Sequence, residues 1–282
     1  MLIAQVTDIH IGFAPEEGAD ELNRRRLVAV LERIRSAPQL PDLVVLSGDL
    51  TEHGDAHSFA DAAALVAELG IPVWPMVGNH DDRENLRRAF PQADTGDAFV
   101  QHAIELDGLR LLLLDTLDPG RHGGAFCEAR ARWLADQLDA RPETPTLIFM
   151  HHPPIVSGVS WMDPAPHEPW IERFGAVVEG RRQIVRIQCG HLHRPVQAAF
   201  RGIPLGITAS VAPLVAMDLR PIDPVRPDQR DLITTEAPGY ALHCWDGRDL
   251  VTHHEYVTGW DVLASYTEQL QPMIQGMFAE RG

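Results

Sequence analysis

Asp8-Ile9-His10, Gly48-Asp49, Gly78-Asn79-His80-Asp81, His151-His152-Pro153 and Gly190-His191-Leu192-His193 follow one another along the chain. Each comes directly after an apolar run of strand character, at residues 2–7, 43–47, 73–77, 146–150 and 184–189. Carboxylates, imidazoles and one carboxamide delivered from strand ends are the donor set of a two-metal hydrolytic centre. Two divalent cations held about 3.5–4 Å apart repel one another, so such a site needs a bridging anion. A carboxylate has two oxygens and a full charge, and Asp49 is the candidate bridge, set at the sharp turn that Gly48 permits.

Asp8 and His10 are two residues apart, so in an extended segment both side chains emerge on one face. His191 and His193 share that spacing, and a small displacement sends one of them to each metal. Asn79 offers a neutral carbonyl oxygen, which limits the total charge of the site and keeps the second metal a strong Lewis acid. His151 and His152 are adjacent, so only one of them points at the site from an extended backbone. About three or four protein ligands per ion leave room for water and substrate.

The elements that must hold these residues begin with an alternation of strands and amphipathic segments. Residues 21–35 space Leu22, Leu27, Val30, Leu31 and Ile34 at near-helical intervals, and residues 57–69 read as a second helix. Such β-α-β-α-β order predicts parallel strands with helices outside them. Asp107-Gly108 marks a hairpin between residues 99–106 and 110–115, and helices are expected near residues 128–138 and 168–179.

After Gly190 the pattern becomes antiparallel, with residue pairs 196–201/204–210 and 241–245/250–256 turning at Gly202 and Asp246-Gly247. Residues 218–239, rich in Pro, Asp and Arg, form a long loop of the functional or mobile kind. Residues 261–278 have one apolar face at helical spacing, with Pro272 as a kink. The fold expected is α/β (α+β): a four-layer αββα sandwich of two mixed β-sheets flanked by helices. Residues 1–258 are read as the catalytic domain and 259–282 as a C-terminal helical tail. All five motifs then fall at the carboxyl ends of strands, where ligands of α/β sheets collect.

The formal charge of −16 over 282 residues counts against a nucleic acid polymer as partner, because phosphate binding needs basic surface. A small phosphate ester remains compatible, since two divalent cations dominate the local field. No apolar stretch reaches the roughly 20 residues that span a bilayer. The first motif begins too close to Met1 for a signal peptide, and the three cysteines have no CxxC spacing. A soluble cytoplasmic protein is expected, without membrane association, and the tail and the 218–239 loop suit a homodimer.

In this order the motifs resemble those of the calcineurin-like metallophosphoesterases, and within them the chain is most similar to class III cyclic-nucleotide phosphodiesterases and bacterial glycerophosphodiesterases. Supporting stretches are Gly48-Asp49-Leu50-Thr51-Glu52-His53-Gly54, Leu114-Asp115-Thr116 with Pro119-Gly120, Trp133-Leu134, His151-His152-Pro153-Pro154 and Trp161-Met162-Asp163. The resemblance runs from about Leu2 to His193 and fades across the last third.

It implies one metal on Asp8, His10, Asp49 and His193, and another on Asp49, Asn79, His151 and His191. The metals are divalent transition ions, with Mn, Fe, Co and Zn all suited to these O/N donors. The resemblance selects His151 over His152 as ligand, and it sets His80 against the phosphoryl group or the leaving oxygen. Asp49 and His80 are thus the catalytic candidates.

The expected reaction is hydrolysis of a small phosphodiester, of cyclic-nucleotide or glycerophosphodiester type, by in-line attack of a metal-bound hydroxide. A phosphomonoesterase or nucleotide pyrophosphatase on the same scaffold is the alternative enzyme. A non-catalytic interaction module is the alternative of another class. Asp81 and Asp115 are expected to fix structure, as are His53, His122, Asp163 and His167.

Overall fold

Nearly every residue of the early strands is apolar, which requires both faces of those strands to be covered. The computed structural model describes residues 1–165, 167–259 and 262–280. In chain order its main elements begin with β1 (Leu2–Val6), α1 (Leu22–Arg35), β2 (Leu43–Ser47), α2 (Ala56–Ala67), β3 (Val73–Met76) and α3 (Arg83–Ala89). There follow β4 (His102–Glu105), β5 (Arg110–Leu114), α4 (Glu128–Ala140), β6 (Thr146–Met150), α5 (Pro169–Val178) and β7 (Ile184–Cys189). The last third holds β8 (Val196–Phe200), β9 (Ile203–Ile207), β10 (Leu214–Val215), β11 (Ile233–Thr234), β12 (Gly239–Trp245), β13 (Leu250–Tyr256) and α6 (Gln271–Ala279).

Two mixed sheets result, a five-stranded one ordered β13-β12-β1-β2-β3 and a six-stranded one ordered β4-β5-β6-β7-β9-β8. Alternation along the strands sets the layers. Ile3, Leu43 and Val45 of the first sheet meet Leu111, Leu113, Leu147 and Phe149 of the second in a core between the sheets. Their neighbours Ala4, Val44 and Leu46 face outward, onto Leu27, Val30 and Ile34 of α1 and Phe59 and Val66 of α2. On the far side Leu112, Ile148 and Met150 pack against Leu134 of α4 and Phe174 of α5. These are the four layers expected, and they bring the carboxyl ends of β1, β2, β3, β6 and β7 to one edge.

Three details depart from expectation. β9 pairs in parallel with β7, through Ile187↔Leu205 and Cys189↔Ile207, so the region after Gly190 is not purely antiparallel. Leu205 and Ile207 are buried and claim the inner position, leaving the more polar β8 at the edge. The 218–239 loop is shorter than expected because Ile233 and Thr234 form β11 against β10. Arg230 also ties the loop, to Asp228 at 2.5 Å and to the carbonyl of Arg220 at 2.7 Å.

The tail helix expected over 261–278 starts late, at Gln271, and Pro272 lies in its first turn instead of kinking its middle. A first turn has free N–H groups anyway, so proline is accepted there and not further in. Trp260 and Asp261, at the expected start of the tail, lie outside the described residues.

Candidate metal centre

Just past the strand ends the backbone turns left-handed. Asp8, His10, Asp49, His191 and His193 have φ of 53°, 53°, 50°, 69° and 53°, although none is glycine. Asp8-x-His10 is therefore not extended, as its spacing had suggested; alternating left-handed turns bring both side chains to one place. Each such residue costs about 1–3 kcal/mol and persists only where its surroundings hold it. Here the two loops are zipped together: Asp8, His10 and Ile11 donate their N–H groups to the carbonyls of Gly48, Asp49 and Leu50 at 3.0, 3.0 and 3.1 Å. The His191 amide donates to both oxygens of Asp8, at 3.0 and 3.1 Å. Gly78 is dictated by contact, since a Cβ there would stand 2.2 Å from Asp49 Oδ1.

Four overlapping groups of donors result, each with its ligand atoms within 4.8 Å of one another: Asp8/His10/His193, Asp8/Asp49/His151, His10/Asp49/His80 and His151/His152/His191. Asp49 Oδ2 is central, 3.1 Å from His151 Nε2 and 3.6 Å from His10 Nε2. Asn79 stands beside this cluster through the contact of its Nδ2 with His122 Nδ1 at 3.4 Å, and the His122 ring lies 4.7 Å from that of His191. All eight expected site residues thus gather at the common edge of the two sheets.

Hydrogen bonds fix the imidazole tautomers. His151 Nδ1 meets the carbonyl of Ser47 at 2.9 Å, His193 Nδ1 that of Pro213 at 2.9 Å, and His80 Nδ1 that of Glu52 at 2.8 Å. A carbonyl only accepts, so each Nδ1 carries the hydrogen and the neutral ring keeps a lone pair on Nε2. His10 is set the same way by the Glu52 carboxylate, 2.7 Å from its Nδ1. Imidazoles arranged as metal ligands are oriented like this, by an outer partner on the other nitrogen. Buried Asn79 Oδ1 and His152 Nε2 have no hydrogen-bond partner, and His151 Nε2 faces the Asp49 carboxylate. Convergent lone pairs, orphaned buried acceptors and buried carboxylates fit a pair of divalent cations.

The electrostatics carry the same stamp. Burial would raise the Asp49 carboxyl, yet His151, His10 and His80 around it hold it well below the usual range. Asp8 is lowered likewise, burial being outweighed by His193 and His151. His151 resists its own burial and rises to about 9 because Asp49 and Asp8 flank it. His152 and His191 are pushed well down, by burial first and then by neighbouring imidazoles.

Asp81, expected to fix a loop, accepts from the amides of Leu50, Thr51 and Gly78 at 3.1, 3.1 and 2.9 Å. Burial and then Asp49 raise its carboxyl to about 6. Asp115, also expected to be structural, is fully buried under Arg83, whose Nε and Nη2 donate at 2.6 and 2.7 Å.

Sequence reasoning missed Glu52, Thr116 and His122. Glu52 orients His10 and, through its carbonyl, His80. Its position three residues after Asp49 was the available signal. Thr116 Oγ1 lies 2.8 Å from His152 Nδ1, and nothing in its local sequence announces that contact across 36 residues. His122, read as structural, belongs to the wall of the site.

The family model described as calcineurin-like phosphoesterase matches residues 1–195, and the chain belongs to that family. It is 30% identical to a protein of Arcobacter nitrofigilis named a probable glycerophosphodiester phosphodiesterase, covering 91% of this chain and 93% of that one. It is 35% identical to a probable cyclic nucleotide phosphodiesterase of Rhodopseudomonas palustris, over 69% of this chain and 72% of that one. Among solved structures it resembles a dimetal phosphatase from Danio rerio, with a TM-score of 0.64 and 14% identity across 92% of this chain and 96% of the other, a likeness of fold.

Proposed function

We propose that this protein hydrolyses small phosphodiesters in a metal-dependent reaction at the edge where the two sheets meet. The observation that carries the reading is the set of four imidazoles, His10, His80, His151 and His193, whose Nδ1 atoms are all committed to outer acceptors. The names of the relatives, glycerophosphodiester and cyclic nucleotide phosphodiesterases, support a diester over a monoester.

Asp8, His10, Asp49 and His193 would hold one divalent transition ion, and Asp49, Asn79, His151 and His191 the other, with Mn, Fe, Co and Zn all suited to the donors. When bound, such ions supply Lewis acidity and lower the pKa of water from 15.7 toward about 7. Asp49 joins the two groups because it lies within 3.6 Å of His10 and 3.1 Å of His151.

His80, about 30% exposed and anchored by Glu52, presents Nε2 to the phosphoryl group or the leaving oxygen. In its protonated form it donates to the charge that grows there, a contribution commonly worth about 2.7–4 kcal/mol. In the net reaction water gives its oxygen to phosphorus, one P–O ester bond breaks, and the departing alcohol leaves with a proton.

The division into a catalytic part at 1–258 and a tail at 259–282 belongs to the same proposal, as does a homodimer. Exposed Leu263, Tyr266, Met273 and Met277 support the latter, and light scattering showing only monomer at micromolar concentration dismisses it. Among the described residues no helix is long and apolar enough to cross a membrane. All three cysteines are free, which suits a cytoplasmic setting.

The test is hydrolysis of bis(p-nitrophenyl) phosphate against p-nitrophenyl phosphate, by protein stripped of metal and reconstituted with manganese. Metal-dependent turnover favouring the diester is expected. Preference for the monoester makes the protein a phosphatase instead, and silence on both without metal uptake makes it an interaction module.

A further inference from the structure

Two cavities of unlike chemistry flank the candidate metal centre, one on each side. The smaller, of about 350 Å³, is lined by His10, His80 and His193 on its polar floor. Its other walls are largely apolar, with Phe13, Leu22, Met162, Val215 and Ile233, beside Asn23 and a Glu52 whose carboxylate is engaged by His10. The larger, of about 780 Å³, has a mixed lining: His152 and His191 on the centre's side, Phe126 and Trp170 in its walls, and the charged Arg121, Arg173, Asp118 and Glu168 further out. His122, Trp161 and Met162 line both cavities and so form the partition between them.

Large apolar residues at the smaller mouth stand in solvent without packing partners sufficient to cover them. Phe13 is 66% exposed and Ile233 53% exposed, and both border the same imidazoles that would face the reacting phosphate. The mouth is nonetheless built. β11, which carries Ile233, pairs with β10, and the loop between them bonds across to the Trp161 segment through Ile222 N and Ser160 Oγ at 3.1 Å. Apolar walls around a few polar groups are the usual make-up of a small-molecule site. Contiguous exposed apolar surface calls for an apolar occupant.

We infer that, given the phosphodiesterase reading on which this rests, the substrate is an acyclic, asymmetric diester: its apolar alcohol lies in the smaller cavity and its polar, hydroxyl-bearing alcohol in the larger. A phosphoryl group held between His10/His193 and His151/His191 has one ester oxygen toward each cavity. A cyclic diester has both ester oxygens on one alcohol and leaves one cavity empty. The partition of His122, Trp161 and Met162 keeps the two arms apart.

The test uses three synthetic diesters and the manganese-loaded protein: glyceryl benzyl phosphate, glyceryl 2-hydroxyethyl phosphate and dibenzyl phosphate. Benzyl alcohol and ethylene glycol have similar acidities, so the first pair differs mainly in what the smaller cavity must accept. The expected kcat/KM favours glyceryl benzyl phosphate over its hydroxyethyl counterpart by about tenfold or more, the scale of discrimination an apolar pocket provides. It also exceeds that for dibenzyl phosphate, which lacks the polar arm.

In the double variant Phe13→Ser/Ile233→Ser, whose sites are exposed enough to leave folding intact by circular dichroism, the benzyl preference should fall toward one. A native preference near one, a preference untouched by the double variant, or dibenzyl phosphate cleaved as well as the glyceryl ester overturns the assignment. In each of those cases hydrolysis of bis(p-nitrophenyl) phosphate continues and the proposed function survives. Loss of all metal-dependent diester hydrolysis overturns both.

Discussion

His10 Nε2 and His193 Nε2 lie 3.1 Å apart, and each ring has already placed its hydrogen on Nδ1, toward Glu52 and Pro213. Two lone pairs at that distance repel unless a cation stands between or beside them. Either a shared proton or a metal ion meets the need, and the nearby Asp8 carboxylate, 3.3 Å from His193 Nε2, favours a positive charge there in both cases. Metal uptake must then displace protons.

At pH 7.5 the metal-free protein carries a proton on His151, whose pKa is raised to about 9. His193 is also raised, its burial outweighed by Asp8. Ligands bind metal deprotonated, so loading manganese at pH 7.5 should release about one proton or more per protein, and affinity should weaken as pH falls. An indicator dye in weakly buffered solution measures the release. Uptake with no proton change contradicts these protonation states.

Asp49→Ala removes the carboxylate shared by the two donor groups. Activity should vanish, and elemental analysis should find about one metal equivalent fewer. Full occupancy in the variant means Asp49 is not a bridge. His80→Ala should instead keep its metal and lower kcat by about 10²–10³, the effect of removing one well-placed donor. Unchanged kcat removes His80 from the reaction.

The chemistry was more legible in the sequence than the geometry was. Candidate ligands could be read because each follows an apolar run, and a strand buried on both faces is nearly continuous in Val, Ile and Leu, as at Leu43–Ser47 and Arg110–Leu114. In the structure the period of two then puts Leu111 and Leu113 in one core and Leu112 in another.

The left-handed turns at Asp8, His10, Asp49, His191 and His193 could not be read locally: aspartate and histidine tolerate positive φ better than most non-glycine residues, but they usually adopt other conformations. Those turns come from hydrogen bonds between loops some 40 residues apart, as between Asp8 and Gly48. The parallel seat of β9 was hidden for a similar reason. Antiparallel pairing with β8 is local, whereas pairing with β7 depends on which strand can bury Leu205 and Ile207.

Asp115 joins α3 and α4 to the sheet beneath them. It accepts from Arg83 and from the amides of Val100 and Leu117, both at 3.0 Å, and lies 3.6 Å from Arg130 Nη1. Removing one member of a buried ion pair leaves the other charge uncompensated and costs about 3–5 kcal/mol. Asp115→Ala should lose about that much in urea unfolding, and Asp115→Asn less. A loss under 1 kcal/mol would mean that the arginines find water or other acceptors.

His243 sits fully buried between Gln5 Oε1 at 3.2 Å and Thr252 Oγ1 at 2.9 Å. Burial, then Arg186 and His254, lowers its pKa from 6.5 to about 3. Its folded pKa lies below the unfolded value, so its stabilising effect is complete above pH 6.5 and declines as pH falls toward 3. The slope is about 1.4 kcal/mol per pH unit. Between pH 7 and 4.5, metal-stripped His243→Gln should therefore lose about 2–3 kcal/mol less stability than the native chain. Parallel losses show that another group sets the acid sensitivity.

Turnover is expected to require two ions acting together in one centre. Titrating stripped protein with manganese while following hydrolysis of bis(p-nitrophenyl) phosphate tests this directly. Activity should be absent at the start and reach its plateau at about two equivalents. Full turnover without added metal, or saturation at a single equivalent, contradicts it.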